Sequence, residues 1–150
     1  MTDVINMARP TAHDMMVAYA EDGVEYAQQT FGVTLDYSEQ SVHVVEDILA
    51  ELHEAAKPKG FIAKLLKQGV SEEITDQLGK MLGGYVGEVM RKEWGGEWTL
   101  ETNAFPGEQV ITLQLATGED VWPHFKVGKR ILNGPEDDVW SYFQRLKEST

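Results

Sequence analysis

Residues 82–98 read LGGYVGEVMRKEWGGEW, and this stretch decides how the chain is expected to fold. It forms the end of a predicted helix, yet it carries Gly83, Gly84 and Gly87 as well as the carboxylate of Glu88. A glycine in an exposed helix costs about 1 kcal/mol relative to alanine, so three of them need a compensating reason. Either a ligand or partner approaches the backbone here, or the helix packs tightly inside the protein.

The apolar residues of this helix share one face. The helix is predicted to run from Ser71 to about Trp94, and its period of 3.6 residues sets the three glycines apart from an apolar stripe. A helix that has an apolar face and a separate glycine face is stable only if other elements pack against both. We therefore predict that it is central and that its glycine face packs against a strand or another helix. The stripe consists of Ile74, Leu78, Met81, Leu82, Tyr85 and Val89.

The chain before the central helix is predicted to be helical from residue 12 onwards. Residues 12–30 indicate a first helix with Thr11 as its N-cap, and Ser38 is expected to cap a second one. The segment FIAKLLK, residues 61–67, indicates one or two basic amphipathic turns, whose apolar side chains we assign to the core rather than to a membrane. The inner stripe of the second helix is Val45, Ile48, Leu49, Leu52 and Ala56.

After Gly95, the expected C-cap of the central helix, the hydrophobic pattern alternates with a period of two. Three short strands joined by turns predict an antiparallel meander over residues 97–123, followed by terminal helices over 125–147. Pro135 is expected to begin the last helix. The prediction is one α+β domain: a helical N-terminal half, a central glycine-containing helix packed on a small three-stranded meander, and a C-terminal helix.

The net charge of the chain is −12, and the acidic residues are distributed unevenly along it. Residues 1–56 hold eleven acids and one base, whereas residues 57–92 hold seven bases and four acids. Such a surface repels phosphate backbones and favours a basic partner, so we expect no nucleic acid as a partner. No stretch reads as a signal peptide or membrane span, which predicts a soluble cytoplasmic protein with no membrane partner.

Known catalytic and cofactor motifs give little support for an enzyme. The chain has no cysteine, no phosphate-binding glycine loop and no serine in a nucleophile elbow. His43 and Asp47 have a spacing that a metal could use, but histidine among exposed acids is usually just hydrated. We predict no catalytic residue, no cofactor and no metal site.

Glu88 is the most informative carboxylate because it lies at the border of the apolar and glycine faces, where an unpaired charge is unfavourable. Arg91 follows it by three residues, and Lys129 and Arg130 are basic candidates from the C-terminal half. Trp98 could lie at the junction of helix and sheet. Two interpretations stay open: a structural salt bridge, or a cleft in which these side chains converge on a ligand.

The motifs GGYVGEVMRKEWGGEW and WPHFKVGKRILNGPEDDVWSYFQRL show a resemblance to a known family pattern. Together they cover residues 82–146, and the pattern resembles that of an uncharacterised bacterial domain family. The resemblance implies a small soluble bacterial domain and implies no catalytic residue. It adds Asn133 to the candidate binding residues, and its family-like positions are Gly84, Gly87, Glu88, Trp98, Lys129, Arg130, Asn133 and Gly134.

These observations favour a non-catalytic interaction protein that binds a basic protein partner. Immunity and inhibitor-type proteins are one class that fits, because small acidic proteins of that kind block a partner by surface complementarity. The alternative is a small-molecule-binding or enzymatic domain with a site around Glu88, Trp98, Lys129 and Arg130. Assembly of copies through an exposed helix face is a third possibility, and the sequence leaves the oligomeric state open.

Overall fold

The computed structural model describes residues 11–57, 72–100 and 104–150. It is an α+β fold with a helical N-terminal half and a small antiparallel sheet, as predicted. In chain order the elements are α1 (Ala12–Tyr26), a π-helical turn (Ala27–Phe31), α2 (Glu39–Ala56), α3 (Glu72–Trp94), β1 (Gly96–Thr99), β2 (Thr112–Leu115), β3 (Asp120–Val121), α4 (Pro123–Asn133), a 3-10 turn (Pro135–Asp137) and α5 (Val139–Glu148).

Helix α3 is the centre of the fold, and every residue from Leu82 to Met90 is buried. It packs against α1 and α4 most extensively, and also against α2, β1 and β2. This arrangement confirms the predicted central helix packed on the meander. Ile74 is the exception to the predicted stripe. It is exposed and lies in the first turn of α3, whereas the continuously buried part of the helix begins at Leu82.

The glycines Gly83, Gly84 and Gly87 of α3 meet three different elements. A Cβ on Gly83 would collide with the backbone of His124 and Pro123, and one on Gly87 would collide with the indole ring of Trp98. Gly84 faces Met16 of α1, where a Cβ would lie 3.3 Å from the Met16 methyl carbon. The glycines therefore let α1, β1 and α4 approach one helix closely, so the predicted close packing is confirmed but involves three neighbours rather than the one strand or helix expected.

The sheet lies beside the second half of α3 and has the strand order β1-β2-β3. Trp98 pairs with Leu113, and Leu113 pairs with Val121, so three buried side chains lie across one face. The strands lie within residues 96–121, slightly earlier than the expected meander, because Trp122 already forms the N-cap of α4 and Pro123 is its first residue. Residues 101–103, which hold the end of the predicted first strand and the start of the turn after it, lie outside the described residues.

Helix ends follow the predicted capping residues in three places. Thr11 forms a capping box with Asp14, and the Ser38 hydroxyl accepts a hydrogen bond from Ser41 N at 3.2 Å. Gly95 ends α3 with a φ of 84° and donates to Arg91 O at 2.9 Å. The predicted cap at Ser71 and the segment 61–67 lie outside the described residues.

The last helix begins later than the sequence predicts. Pro135 starts a separate 3-10 turn, and α5 begins at Val139 with Asp138 as its N-cap. The Asp138 carboxylate accepts a hydrogen bond from Ser141 N at 2.6 Å, which satisfies a donor of the first turn and defines the helix start. Val139, Phe143 and Leu146 are buried on the inner side of α5. None of the helices in the described ranges is long and apolar enough to span a membrane.

Candidate functional site

Glu88 lies in a closed hydrogen-bonded cluster with two of the predicted site residues, Arg91 and Trp98. Its side chain is buried, with 1% of the residue surface exposed. Arg91 donates through Nε at 2.8 Å and through Nη2 at 3.0 Å, and Trp98 Nε1 donates at 2.8 Å. The two carboxylate oxygens thus receive three donors from α3 and β1, so this carboxylate anchors the first strand to the central helix.

These donors decide the ionisation of Glu88. Burial by itself raises the pKa of a carboxyl group, but the hydrogen bonds from Arg91 and Trp98 and the charge of Arg91 outweigh it and hold the pKa of Glu88 below its usual value. A polar pocket of about 310 Å³ opens beside the cluster, lined by His13, Arg91, Gly96, Glu97 and Trp98. Its lining includes Arg91 and Trp98, the hydrogen-bond partners of Glu88, but not Glu88 itself.

Replacing Glu88 with glutamine is expected to lower the free energy of unfolding by about 1 to 3 kcal/mol. Glutamine can still accept from Trp98, but it withdraws the charge that Arg91 pairs with. Urea denaturation at neutral pH measures the loss, which lies below that of a fully buried pair because the Arg91 side chain is 26% exposed and can be hydrated.

The pH dependence provides the control for this variant. Because the folded-state pKa of Glu88 is lowered, its contribution to stability is present above the unfolded value of 4.5 and is lost as the pH falls through the folded value. The difference between wild type and Glu88→Gln should therefore shrink in acid. A variant as stable as wild type at neutral pH would contradict the structural role.

Arg130, another of the predicted site residues, belongs to a different cluster. Its Nε lies 3.1 and 2.9 Å from the two carboxylate oxygens of Glu46 on α2, and both residues are buried. Val139 N also donates to Glu46 at 2.9 Å, while Arg130 Nη1 is buried with no hydrogen-bond partner among the described residues. The Glu46 carboxylate therefore joins α2, α4 and the start of α5 inside the protein.

The remaining candidates lie at the surface of α4. Lys129 lines a pocket between α3 and α4, and Asn133 Nδ2 donates to Asp137 at 2.9 Å on the exposed side of the 3-10 turn. The structure thus brings Glu88, Arg91 and Trp98 together and separates them from Arg130, which pairs with Glu46. The four residues Glu88, Trp98, Lys129 and Arg130 do not form a single cleft.

The pocket beside Lys129 contains a histidine that resists protonation. The pocket has a volume of about 330 Å³ and is lined by Glu72, Thr75, Asp76, Lys80, His124, Phe125, Gly128, Lys129 and Leu132. Within the part of the chain that the structure describes, the buried Nδ1 atom of His124 has no hydrogen-bond partner. Burial lowers the pKa of His124 to about 4, with Lys80 adding to the effect and Asp76 opposing it.

We expect the free energy of unfolding to decrease as the pH falls below 6.5, because His124 is protonated more readily in the unfolded chain than in the folded protein. Its folded pKa of about 4 lies below the ordinary 6.5, so its contribution is complete above 6.5 and is lost as the pH falls towards 4. Between pH 7 and pH 5 the unfolding free energy should drop by about 2 kcal/mol from this group alone. Urea denaturation of His124→Gln at both pH values should lack this drop; an equal drop in the variant would contradict the assignment.

A second groove, which the sequence interpretation missed, lies on the outer side of α1. It has a volume of about 560 Å³ and is lined by Glu21, Val24, Glu25, Gln28, Gln29, Thr34 and Tyr37. Glu21 and Glu25 are four residues apart, so both carboxylates lie on one face of the helix. That spacing, with no base nearby in the sequence, was the available signal. The residues that line the groove therefore include two acids and no base, with Val24 and Tyr37 as its apolar members.

Tyr37 fixes one wall of this groove. It has a φ of 64°, a conformation that is uncommon for a residue with a side chain, and its backbone N donates to the Tyr85 hydroxyl at 2.7 Å. That hydroxyl also lies 2.6 Å from Ser41 Oγ. Lys92 Nζ lies 4.2 Å from the centre of the Tyr37 ring, so a cation already rests on this aromatic wall. The strained residue is thus held in place by the buried Tyr85.

Comparison of the sequence and the fold with known proteins found no match. No protein-family model matches the chain, no curated protein matches it, and no solved structure matches its fold. The resemblance of residues 82–146 to a bacterial domain family therefore stays a prediction.

Proposed function

We propose that this protein is a non-catalytic interaction protein, of the immunity or inhibitor type, that binds a basic protein partner through the groove on α1. The observation that carries the proposal is the pair of carboxylates, Glu21 and Glu25, in a groove whose other lining residues are uncharged. Neither carboxylate forms an ion pair with the lysines and arginines of the described residues. Their charge is therefore free to attract a partner.

The surroundings of the groove strengthen this charge. Residues 11–57 contain ten acids and a single base, Lys57, which lies at the end of α2 and pairs with Glu54. Two of the acids are engaged by distant cations, Glu39 by Lys147 and Glu46 by Arg130. Most of the others are exposed on α1 and α2. A surface of this kind steers a positively charged protein towards α1 and accelerates its association.

The groove has the chemistry to receive a lysine or arginine side chain. The methylene stem of such a side chain can lie on Val24 and the edge of Tyr37, while its cationic head reaches Glu21 and Glu25. Gln28 and Gln29 add amide groups at the rim, although Gln28 Oε1 already accepts from Thr34 and Gln29 donates to Glu25. Charge-assisted hydrogen bonds at a partly apolar site are stronger than those on an open surface.

The enzymatic or small-molecule alternative has less support. It requires Glu88, Trp98, Lys129 and Arg130 around one ligand, whereas Glu88 and Arg130 are each paired inside separate clusters. The feature that still favours it is the polar pocket of about 310 Å³ beside Arg91 and Trp98. Glu88, the carboxylate on which this alternative depends, does not line that pocket.

We expect a double variant, Glu21→Gln with Glu25→Gln, to bind an arginine-rich peptide about 10- to 100-fold more weakly than wild type. Glutamine keeps the size and helix propensity of glutamate and removes only the charge. Isothermal titration at constant ionic strength, with a twelve-residue peptide of alternating arginine and alanine as the probe, gives the two affinities.

The matched control is Glu51→Gln with Glu54→Gln, which removes two exposed acids of α2 and leaves the groove intact. If general acidity were responsible, the two double variants would lose the same affinity, and the groove would have no special role. A binding constant that the groove variant leaves unchanged would contradict the proposal directly.

A further inference from the structure

Gly128 differs from the other glycines within the helices of the described chain. Gly23, Gly79, Gly83, Gly84 and Gly87 each lie against a neighbouring segment, but a Cβ on Gly128 would meet nothing within 4 Å. A glycine in the middle of a helix destabilises it by about 1 kcal/mol relative to alanine. Among the residues that the structure describes, no contact offsets this at Gly128, so the space above it can receive another molecule.

Two exposed apolar side chains flank this space. Phe125 lies three residues before Gly128 and Leu132 lies four residues after it, so all three share one face of α4. Phe125 is 44% exposed and Leu132 is 58% exposed, which makes them two of the three large exposed hydrophobic residues in the described chain. The pocket of about 330 Å³ between α3 and α4 runs alongside them. The surface has a gap at Gly128 between the side chains of Phe125 and Leu132, which lie about 10 Å apart along the helix.

We propose that this face binds a second copy of the chain, forming a dimer in which two α4 helices cross in opposite directions about a two-fold axis near Gly128. The midpoint of Phe125 and Leu132 falls between residues 128 and 129. An antiparallel crossing at that point therefore places Phe125 of one copy beside Leu132 of the other. Self-complementarity of this kind is what a two-fold interface requires.

The charges around the face balance, which is consistent with self-association. The pocket is lined by two acids, Glu72 and Asp76, and two bases, Lys80 and Lys129, which sum to zero, while the whole chain carries −12. Lys80 already pairs with Asp76 at 3.0 Å. Glu72 and Lys129 form no ion pair with the described residues, and they can pair across the axis. Two copies that meet at this face therefore bring no net like charge together there.

The absence of cysteine from the sequence allows a direct test. In Gly128→Cys the two thiols lie close to the axis, and mild oxidation should link the copies within the range that disulfide geometry allows. Ala18→Cys, an exposed position on α1, is the matched control and should stay unlinked at the same protein concentration. In parallel, sedimentation velocity of the wild type should show a mass that rises from monomer towards dimer with concentration.

Leu132→Asp is the variant that separates this interface from any other. The side chain is exposed, so the variant should fold as wild type does by circular dichroism, yet its self-association should fall at least about tenfold because a carboxylate would be placed against Phe125. A wild type that remains monomeric up to about 1 mM would overturn the proposal. So would a dimer that Leu132→Asp leaves intact, or equal rates of disulfide formation in the two cysteine variants. The peptide titration of the α1 groove is independent of all three outcomes.

Discussion

Replacing Gly83 with alanine should destabilise the protein by about 3 kcal/mol or more, the largest effect of any single methyl group added to α3. The new Cβ would lie 2.7 Å from His124 N and closer still to His124 Cα. Both atoms belong to the backbone of α4, so no side-chain rotation can relieve the collision. Helices α3 and α4 would have to separate along their whole contact, and urea denaturation would report the loss.

Gly128→Ala is the control for this prediction. It adds the same methyl group to the facing helix, where nothing lies within 4 Å, and it replaces a poor helix former with a good one. At dilute concentration its stability should equal that of wild type or exceed it by up to about 1 kcal/mol. If Gly83→Ala behaved like Gly128→Ala, the close approach of α3 and α4 would be wrong.

Replacing Glu46 with alanine should cost about 3 to 5 kcal/mol, because it leaves a buried guanidinium group without its counter-ion. The Arg130 side chain is only 4% exposed, and its Nη1 atom already lacks a partner. The variant would also deprive Val139 N of its acceptor at the start of α5. Thermal and urea unfolding of the variant measure the combined effect.

Two further variants separate the ion pair from helix propensity. Glu54→Ala removes an exposed acid of the same helix, paired only with Lys57, and should change stability little. The double variant Glu46→Leu with Arg130→Met replaces both charges by apolar groups and should be more stable than Glu46→Ala, since no unpaired charge remains. A Glu46→Ala variant that unfolds like Glu54→Ala would contradict the buried pair.

The helices and the sheet were predictable because their signals are local. The caps at Thr11, Ser38 and Gly95 and the change of hydrophobic period after Gly95 depend on residues within one or two turns of each other. The three glycines of α3 also carried a packing prediction that the structure confirms. The start of α5 was misplaced because Pro135 fits a first helical turn as well as it fits the separate 3-10 turn that precedes Asp138.

The candidate site was predictable only where its members lie close in sequence. Glu88 and Arg91 are three residues apart on one helix, and Trp98 follows soon after. Arg130 pairs with Glu46, which lies 84 residues away along the chain. The periodicity of the two helices does not predict that pairing. The groove on α1 depends on Tyr37 in its strained conformation, which is set by the Tyr85 hydroxyl rather than by any local pattern.

The central claim, that the α1 groove binds a basic protein, is tested most directly by affinity capture from cells of the native host. Wild type and the Glu21→Gln, Glu25→Gln double variant would serve as parallel baits at moderate salt, with bound proteins identified and quantified by mass spectrometry. We predict one stoichiometric partner of net positive charge on the wild type, lost from the double variant and kept by the Glu51→Gln, Glu54→Gln control. No stoichiometric partner, or a partner that the groove variant retains in full, would contradict the account.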